Sequence, residues 1–418
     1  MKINCSLLLY TFLILLLASC AKTNTIPDQK TQIIVLPPNG ASVINASNAF
    51  AFEFFHSMLK NEADRGNKII SPLSIYLALS MVYNGADHAT KDSIEKVLQL
   101  KGIDINSLNA VCNTLISSLP GEDNKVRLDI ANSIWYRKNS YQPFTSFLNL
   151  IRNDYQATVS GLNFDDPNAV NTINNWVSEK TNGKISTVLQ SISPADLMFL
   201  INAIYFNGSW KYAFNGSNTT NDAFYLQDGT QKAVPFMKQT IRTKMFTDSA
   251  YTILELPYGG GKAYSMYLLT PFNHHESLKT FALAIDQNRL SEALNKMDSA
   301  SVNLQMPKWE YAYELNDMRP ELSMLGMGIA FSGAADFSKI YDRSQISVYI
   351  SKAIHKAYIK VNEEGTEAAA VTVIGMEYTN LPAAPPVFKL DHPFLYAIIE
   401  KQTGAVLFLG MVNDPASR

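Results

Sequence analysis

From residue 347 to residue 362, apolar side chains fall on both parities. Val348, Ile350 and Ile354 lie on one, and Ala353, Ala357, Ile359 and Val361 on the other. With few turn formers among them, the pattern predicts a strand covered on both faces. Beyond it, Gly365 in Glu363-Glu364-Gly365 offers a point where the backbone can fold away from the strand direction. The next residues are small at every even position: Thr366, Ala368, Ala370 and Thr372. Small groups at period two let a segment enter a sheet without large pockets on its inner face. The pattern predicts a strand held in reserve.

Elsewhere the periods alternate. Phe50, Phe54, Met58 and Leu59 are spaced for a helix over 48–60. Ser71-Pro72 suits a helix start, with the pattern continuing through 73–83. Residues 126–135 alternate as a strand, and 197–206 form a long apolar run fit for a buried one. Residues 253–257 and 264–270, joined through Gly259-Gly260-Gly261, predict a hairpin. Helices dominate the amino-terminal half and strands the carboxy-terminal half, which indicates mixed α+β rather than a doubly wound sheet.

The amino terminus reads as an address. Lys2 precedes an apolar stretch over 7–17, too short to span a membrane, and then Leu17-Ala18-Ser19-Cys20. That ending resembles a bacterial lipobox. It predicts a signal peptide over 1–19, a lipid on Cys20, and a flexible tether over 20–46 leading to a domain over 47–418. A plain secretion signal cut near Ala18 or Ala21 is the rival reading. The expected location is a membrane-anchored exported lipoprotein in the cell envelope or at the cell surface. With Cys5 removed and Cys20 lipidated, Cys112 stands alone, so the mature domain has no internal disulfide. Cys112 lies on a helical pattern and reads as a buried inert thiol.

Composition excludes more than it identifies. The apolar fraction of 47% is ordinary and the formal net charge is only -2. No Pro/Ser/Gly linker or internal repeat divides the chain, which favours one large domain. Near-neutral charge without a long Lys/Arg run argues against a nucleic-acid partner and leaves no obvious stripe for heparin. Candidate chemistry is sparse. No G-x-S-x-G elbow accompanies the Ser and His residues, so a membrane-anchored Ser/His hydrolase is disfavoured. His274-His275-Glu276 lacks the H-E-x-x-H metal spacing and reads as a solvated loop; Gly259-Gly260-Gly261-Lys262 lacks parts of a phosphate loop and reads as a turn. No metal and no cofactor are expected.

Five segments, in order from about Asn48 to Pro415, resemble the serpins, the serine-protease inhibitor superfamily. They are Asn67-Lys68-Ile69-Ile70-Ser71-Pro72-Leu73-Ser74-Ile75; Trp176-Val177 with Thr181-Asn182-Gly183-Lys184-Ile185; the run from Leu200 to Trp210 through Asn202-Ala203-Ile204-Tyr205-Phe206-Asn207-Gly208; the Glu363 to Thr372 segment; and Asp391-His392-Pro393-Phe394 with Gly404 to Gly410. The resemblance implies three β-sheets, about eight or nine helices and an exposed reactive-centre loop over about 363–386. It implies a hinge at Glu363, Glu364, Gly365, Thr366, Glu367, Ala368, Ala369 and Ala370. Ser71, Ser74, Asn202 and His355 match the family's shutter, a buried network behind the centre of the main sheet, with His355 placed mid-strand. Trp210, Lys308 and Glu363 match the breach, where the sheet opens.

The activity implied is a trap. A protease attacks a bait bond and forms an acyl-enzyme; the cut loop then enters the main sheet as a new strand and distorts the enzyme. Thr366, Ala368, Ala370 and Thr372 can be buried at little cost, whereas Thr366→Arg would bury an unpaired charge and turn inhibitor into substrate. Counting the family's usual interval from Glu363 places the bond at Thr379-Asn380; counting back from Pro393-Phe394 places it near Pro382. Met376, Tyr378 and Leu381 are further candidates. The loop holds no Arg or Lys in this stretch, so elastase-, chymotrypsin- or subtilisin-like partners are expected, cysteine proteases are conceivable, and trypsin-like ones are disfavoured. The implied inhibitor is a monomer and not an enzyme. The alternative is a non-inhibitory serpin acting as carrier, chaperone or protease substrate.

Overall fold

The computed structural model describes residues 32–61, 66–366 and 385–417. The expected signal peptide, Cys20, the tether through residue 31, hinge residues 367–370 and every candidate for the cut bond lie outside them.

Nine helices occur among the described residues: α1 (Gly40–Asn61), α2 (Pro72–Gly85), α3 (His88–Val97), α4 (Ile105–Ser118), α5 (Thr145–Asp154), α6 (Ala169–Lys180), α7 (Leu278–Ala284), α8 (Gln287–Asn295) and α9 (Arg319–Leu322). The first strands are β1 (Lys68–Ile70), β2 (Val126–Arg137), β3 (Thr158–Leu162), β4 (Met198–Ser209), β5 (Thr220–Tyr225), β6 (Gln231–Thr247), β7 (Tyr251–Pro257) and β8 (Tyr264–Pro271). The rest are β9 (Asp298–Pro307), β10 (Trp309–Leu315), β11 (His355–Val361), β12 (Gly365–Thr366), β13 (Val387–Lys389), β14 (Phe394–Glu400) and β15 (Val406–Val412).

The strands form a six-stranded sheet, ordered β10-β11-β12-β4-β2-β3, and a nine-stranded one, ordered β1-β15-β14-β8-β7-β6-β9-β13 with β5 on β6. The expected hairpin is β7 and β8, paired antiparallel from Tyr251↔Pro271 to Pro257↔Ser265. Three sheets were expected, and the described residues form two. The reason is the length of β6: its end pairs with β7 at Met245–Thr247, while the rest runs on to pair with β9 and β5, so two sheets share one strand.

The strand expected over 347–362 is shorter than its pattern. Only His355–Val361 is strand, and His355 is its first residue rather than a mid-strand one. Its burial alternates, with His355, Ala357, Ile359 and Val361 buried and the residues between them half-buried, so it is not covered on both faces. The second parity arises from Val348 and Ile350, which pack against the main core, and Ile354, which packs against a smaller cluster, all without a ladder. The amino-terminal expectation also shifts. α1 begins at Gly40 with Val43, Ile44 and Ala46 buried, so chain assigned to a flexible tether up to residue 46 is partly helix.

α2 lies behind the six-stranded sheet. Pro72 occupies its first turn, and the Ser71 hydroxyl accepts the Ser74 N–H at 3.4 Å, as the sequence start signal requires. Ile75, Leu77 and Met81 on this helix join a core that runs through to β14 and β15. A smaller cluster of Trp135, Phe164, Ile173, Leu189 and Phe199 fixes α6 to the other face.

Candidate functional site

At the top of the six-stranded sheet, the turn from β11 to β12 is closed by side chains. Asn362 Oδ1 accepts the N–H groups of Glu364 at 3.0 Å and Gly365 at 3.2 Å. The carbonyls of Asn362, Glu363 and Glu364 accept, in turn, from Trp210 Nε1 at 2.9 Å, Phe214 N at 2.8 Å and Trp210 N at 2.9 Å. Pairing Trp309 with Val361 puts Lys308 at the same end as Glu363. Lys308 Nζ lies 2.9 Å from Glu363 Oε2, and the Thr219 hydroxyl donates to Oε1 at 2.9 Å. Burial opposes the Glu363 charge, but the bond from Lys308, a backbone bond and the bond from Thr219 outweigh it and hold the carboxyl below its usual range.

Past this turn, β12 is already a rung of the sheet. Thr366 pairs with Val361 on one side and Gly208 on the other, and Gly365 pairs with Ser209. Thr366 is 3% exposed, and its hydroxyl lies 2.7 Å from the Tyr258 hydroxyl. Tyr258 stacks on Trp210 with ring centroids 4.5 Å apart. Both glycines are needed here. A Cβ on Gly365 would fall 2.0 Å from the Gly208 carbonyl oxygen, and one on Gly208 would fall 2.8 Å from the Tyr258 ring.

Below Thr366 the sheet is open. Among the described residues no rung joins β4 directly to β11; β12 is the only link between them. Immediately beneath Thr366 lies a cavity of about 10 Å³ lined by Ile204, Phe206, Ile359 and Phe408. Further down, a cavity of about 410 Å³ runs between residues 197–204 and residues 346–356, with Ala78 and Leu79 of α2 at its back.

The start of α2 ties both borders of this gap. Ser71 N donates to His355 Nε2 at 3.0 Å, and Ser71 Oγ donates to the Leu407 carbonyl at 2.8 Å. The Ser74 hydroxyl donates to Asn202 Oδ1. Asn202 Nδ2 then donates to Asn132 Oδ1 at 2.7 Å, and Asn132 Nδ2 to the Tyr155 carbonyl at 2.8 Å. Burial pushes the His355 imidazole down to about 4. As a neutral ring it accepts a backbone N–H through Nε2, which places its proton on Nδ1. Among the described residues no carboxylate is hydrogen-bonded to it and no hydroxyl is paired with it as a nucleophile would be. The arrangement is a pair of hydrogen-bonded chains, one per strand, meeting at one helix terminus.

The structure therefore brings Ser71, Ser74, Asn202 and His355 together, and Trp210, Lys308 and Glu363 together with Gly365 and Thr366. The sequence reading missed Tyr258, Asn132, Asn362 and Thr219. Only Asn362, a turn former directly before Glu363-Glu364-Gly365, carried a local signal. Cys112 is fully buried, and burial pushes its thiol up to about 12, the inert group expected. Among the described residues no group of three or more His, Cys, Asp or Glu is placed to hold a metal ion, and no helix is long and apolar enough to cross a membrane.

A family model described as Serpin (serine protease inhibitor) matches residues 45–415. An uncharacterized serpin-like protein of Thermococcus kodakarensis is 31% identical over 380 residues, covering 89% of this chain and 86% of its own. Serpin B4 of Homo sapiens is 31% identical, covering 90% of this chain and 100% of its own. Among solved structures, the thermophilic serpin tengpin in its native state superposes with a TM-score of 0.81 at 34% identity, over 89% of this chain and 94% of that one. Human thyroxine-binding globulin complexed with thyroxine gives a TM-score of 0.81 at 27% identity, over 91% and 100%. With the family model matching residues 45–415 and relatives over 30% identical along most of its length, this chain belongs to the serpin family.

Proposed function

We propose that this serpin, from a family whose general activity is protease inhibition, traps serine-type endopeptidases as acyl-enzymes by inserting its cleaved loop between β4 and β11. The observation that carries the reading is Thr366, already buried as a rung between those strands above an unfilled gap. Each further residue that enters would satisfy backbone groups along the open edges of β4 and β11, so insertion runs downhill once the loop is cut. The Lys308–Glu363 pair stabilises the turn by about 1 kcal/mol at most, enough to fix where the sheet opens but not to prevent its opening. Each border's hydrogen-bonded chain runs to the start of α2 rather than across the gap, so parting the strands need not break a bond between His355 and Asn202.

A bond at Thr379-Asn380, or at Met376, Tyr378, Leu381 or Pro382, makes elastase-, chymotrypsin- or subtilisin-like enzymes the targets. Mixing the protein with each of these and with trypsin tests the reading on a denaturing gel. A covalent band with the first group and none with trypsin supports it; a cut loop with no band overturns the trap. The carrier alternative draws on one observation, the cavity of about 410 Å³. It predicts a bound small molecule in the purified protein and no covalent band.

The leader supports attachment to a membrane through lipid on Cys20. Cys20→Ala would then move the protein from the membrane fraction to the soluble one, and an unchanged distribution would overturn the anchor.

A further inference from the structure

The loop leaves the six-stranded sheet at Thr366 and rejoins the fold at β13, and this second anchor is slight. β13 pairs with β9 over three residues only, Val387↔Asn303 to Lys389↔Gln305. Bonds from Leu390 N to the Gln305 carbonyl at 2.9 Å and from Tyr225 N to the Asp391 carbonyl at 2.8 Å extend it. His392, next in the chain, adds a different kind of hold. Its ring stacks on His274 with centroids 3.9 Å apart and planes 11° from parallel. Its other stacking partner is Tyr225, at 5.1 Å and 19°. The column joins β5, the turn after β8 and the segment leaving β13.

Charges around the column are arranged for a single imidazolium. Asp391 Oδ1 lies 2.7 Å from His392 Nδ1. Lys389 sits 3.5 Å from Asp391 and 3.3 Å from Asp222, which Lys238 also approaches at 3.6 Å. On the turn after β8, His275 is the other titratable neighbour of His274, and Asp391 is the one carboxylate acting on it. Asp391 stands beside His392, and charging both stacked rings would put two cations in ring contact. Burial of the ring, followed by the neighbouring His392, holds His274 below the usual histidine range despite Asp391. A histidine depressed in the folded state stabilises it above the ordinary titration range and loses that contribution as pH falls.

The chain length between the anchors makes this consequential. An uncut loop that enters the gap must also return to β13, and each residue spans at most about 3.6 Å. Keeping β13 on β9 therefore limits how far an uncut loop could enter the gap.

Building on the trap reading, we propose that the His274–His392 stack is an acid-sensitive clamp on the loop's second anchor. With at most one ring charged it holds β13 on β9; with both charged it lets go, and the uncut loop is lost into the sheet.

The full chain, incubated at about pH 7.5 and at about pH 5, tests this in two measurements that bracket the histidine range. Hydrogen exchange at residues 387–390, corrected for the intrinsic pH dependence, should rise in acid. The fraction able to form a covalent band after return to neutral pH should decay faster in acid, by up to about tenfold, the factor equivalent to one pKa unit. His274→Phe, which keeps a ring in the stack without a charge, should abolish both acid effects, and His274→Gln should do the same if the phenyl ring disturbs folding. An acid response equal in wild type and both variants, or no rise in exchange, overturns the clamp. Exchange does not require a protease, so it reports on the clamp even if no covalent band forms at any pH, an outcome that overturns the trap instead.

Discussion

The Tyr258 hydroxyl lies 2.7 Å from the Thr366 hydroxyl, and both groups are buried. Burial pushes the Tyr258 phenol above its ordinary range, so it remains a neutral hydroxyl. This bond links the first inward hinge residue to the nine-stranded sheet, while the Trp210 ring stacked on Tyr258 holds the turn carbonyl beside it. Thr366 is thus already a rung between β4 and β11.

Tyr258→Phe leaves the Thr366 hydroxyl without its partner and should destabilise the native chain by about 1–3 kcal/mol. Urea unfolding measures the loss, and Trp210 fluorescence reports whether the turn has moved. Thr366→Val in the Tyr258→Phe background should restore most of it, because both partners are then apolar. An equal loss in the single and double variants would mean the hydroxyl pair is not what holds the hinge.

Gly365→Ala places a methyl 2.0 Å from the Gly208 carbonyl oxygen, a contact no rotamer can relieve. The rung must leave the sheet or the strands must part, at roughly 1–3 kcal/mol. Limited proteolysis should then cut near residue 365 in the variant faster than in wild type. Equal rates would show that the backbone absorbs the methyl in place.

His355 makes stability depend on pH. Its imidazole is depressed to about 4 in the folded state against about 6.5 when unfolded. A depressed histidine contributes fully above the unfolded value, and that contribution is lost as pH falls from about 6.5 towards 4, roughly 3 kcal/mol in all. His355→Gln can still accept the Ser71 N–H and cannot charge. Urea unfolding from neutral pH down to about 4 should therefore show a shallower decline in the variant than in wild type. Parallel declines would assign the acid sensitivity elsewhere.

Local pattern revealed the elements and half of the site. Helix α2 was legible because Ser71 and Pro72 mark its start chemically, and β4 because its apolar run is long. The Lys308–Glu363 contact was not legible from charge alone. It depends on the Trp309↔Val361 register, which pairs residues far apart in sequence. Tyr258 was invisible for the same reason: it sits in the β7–β8 turn, and only the fold of the nine-stranded sheet carries it to Thr366. The span 347–362 misled because core packing without a ladder produces the same both-parity pattern as a buried strand.

Side-chain size at alternate loop positions supplies the sharpest test of insertion. Ala368 follows Thr366 by two residues, so in an inserted strand it turns to the same face, and Ala369 to the opposite one. The space waiting beneath Thr366 is about 10 Å³, bounded by Ile204, Phe206, Ile359 and Phe408, enough for a methyl and far too little for an indole. Ala368→Trp should therefore stall insertion after the first rung. The acyl-enzyme would hydrolyse before the protease is distorted, giving a cut loop and a free active enzyme in place of the covalent band. Ala369→Trp, with its ring directed away from the core, should trap as wild type does. Insertion also adds a full strand to the sheet, so cleavage should raise the thermal midpoint of the Ala369→Trp chain and leave that of the Ala368→Trp chain nearly unchanged. Equal trapping by the two variants would mean that the loop does not enter the sheet in the register set by Thr366.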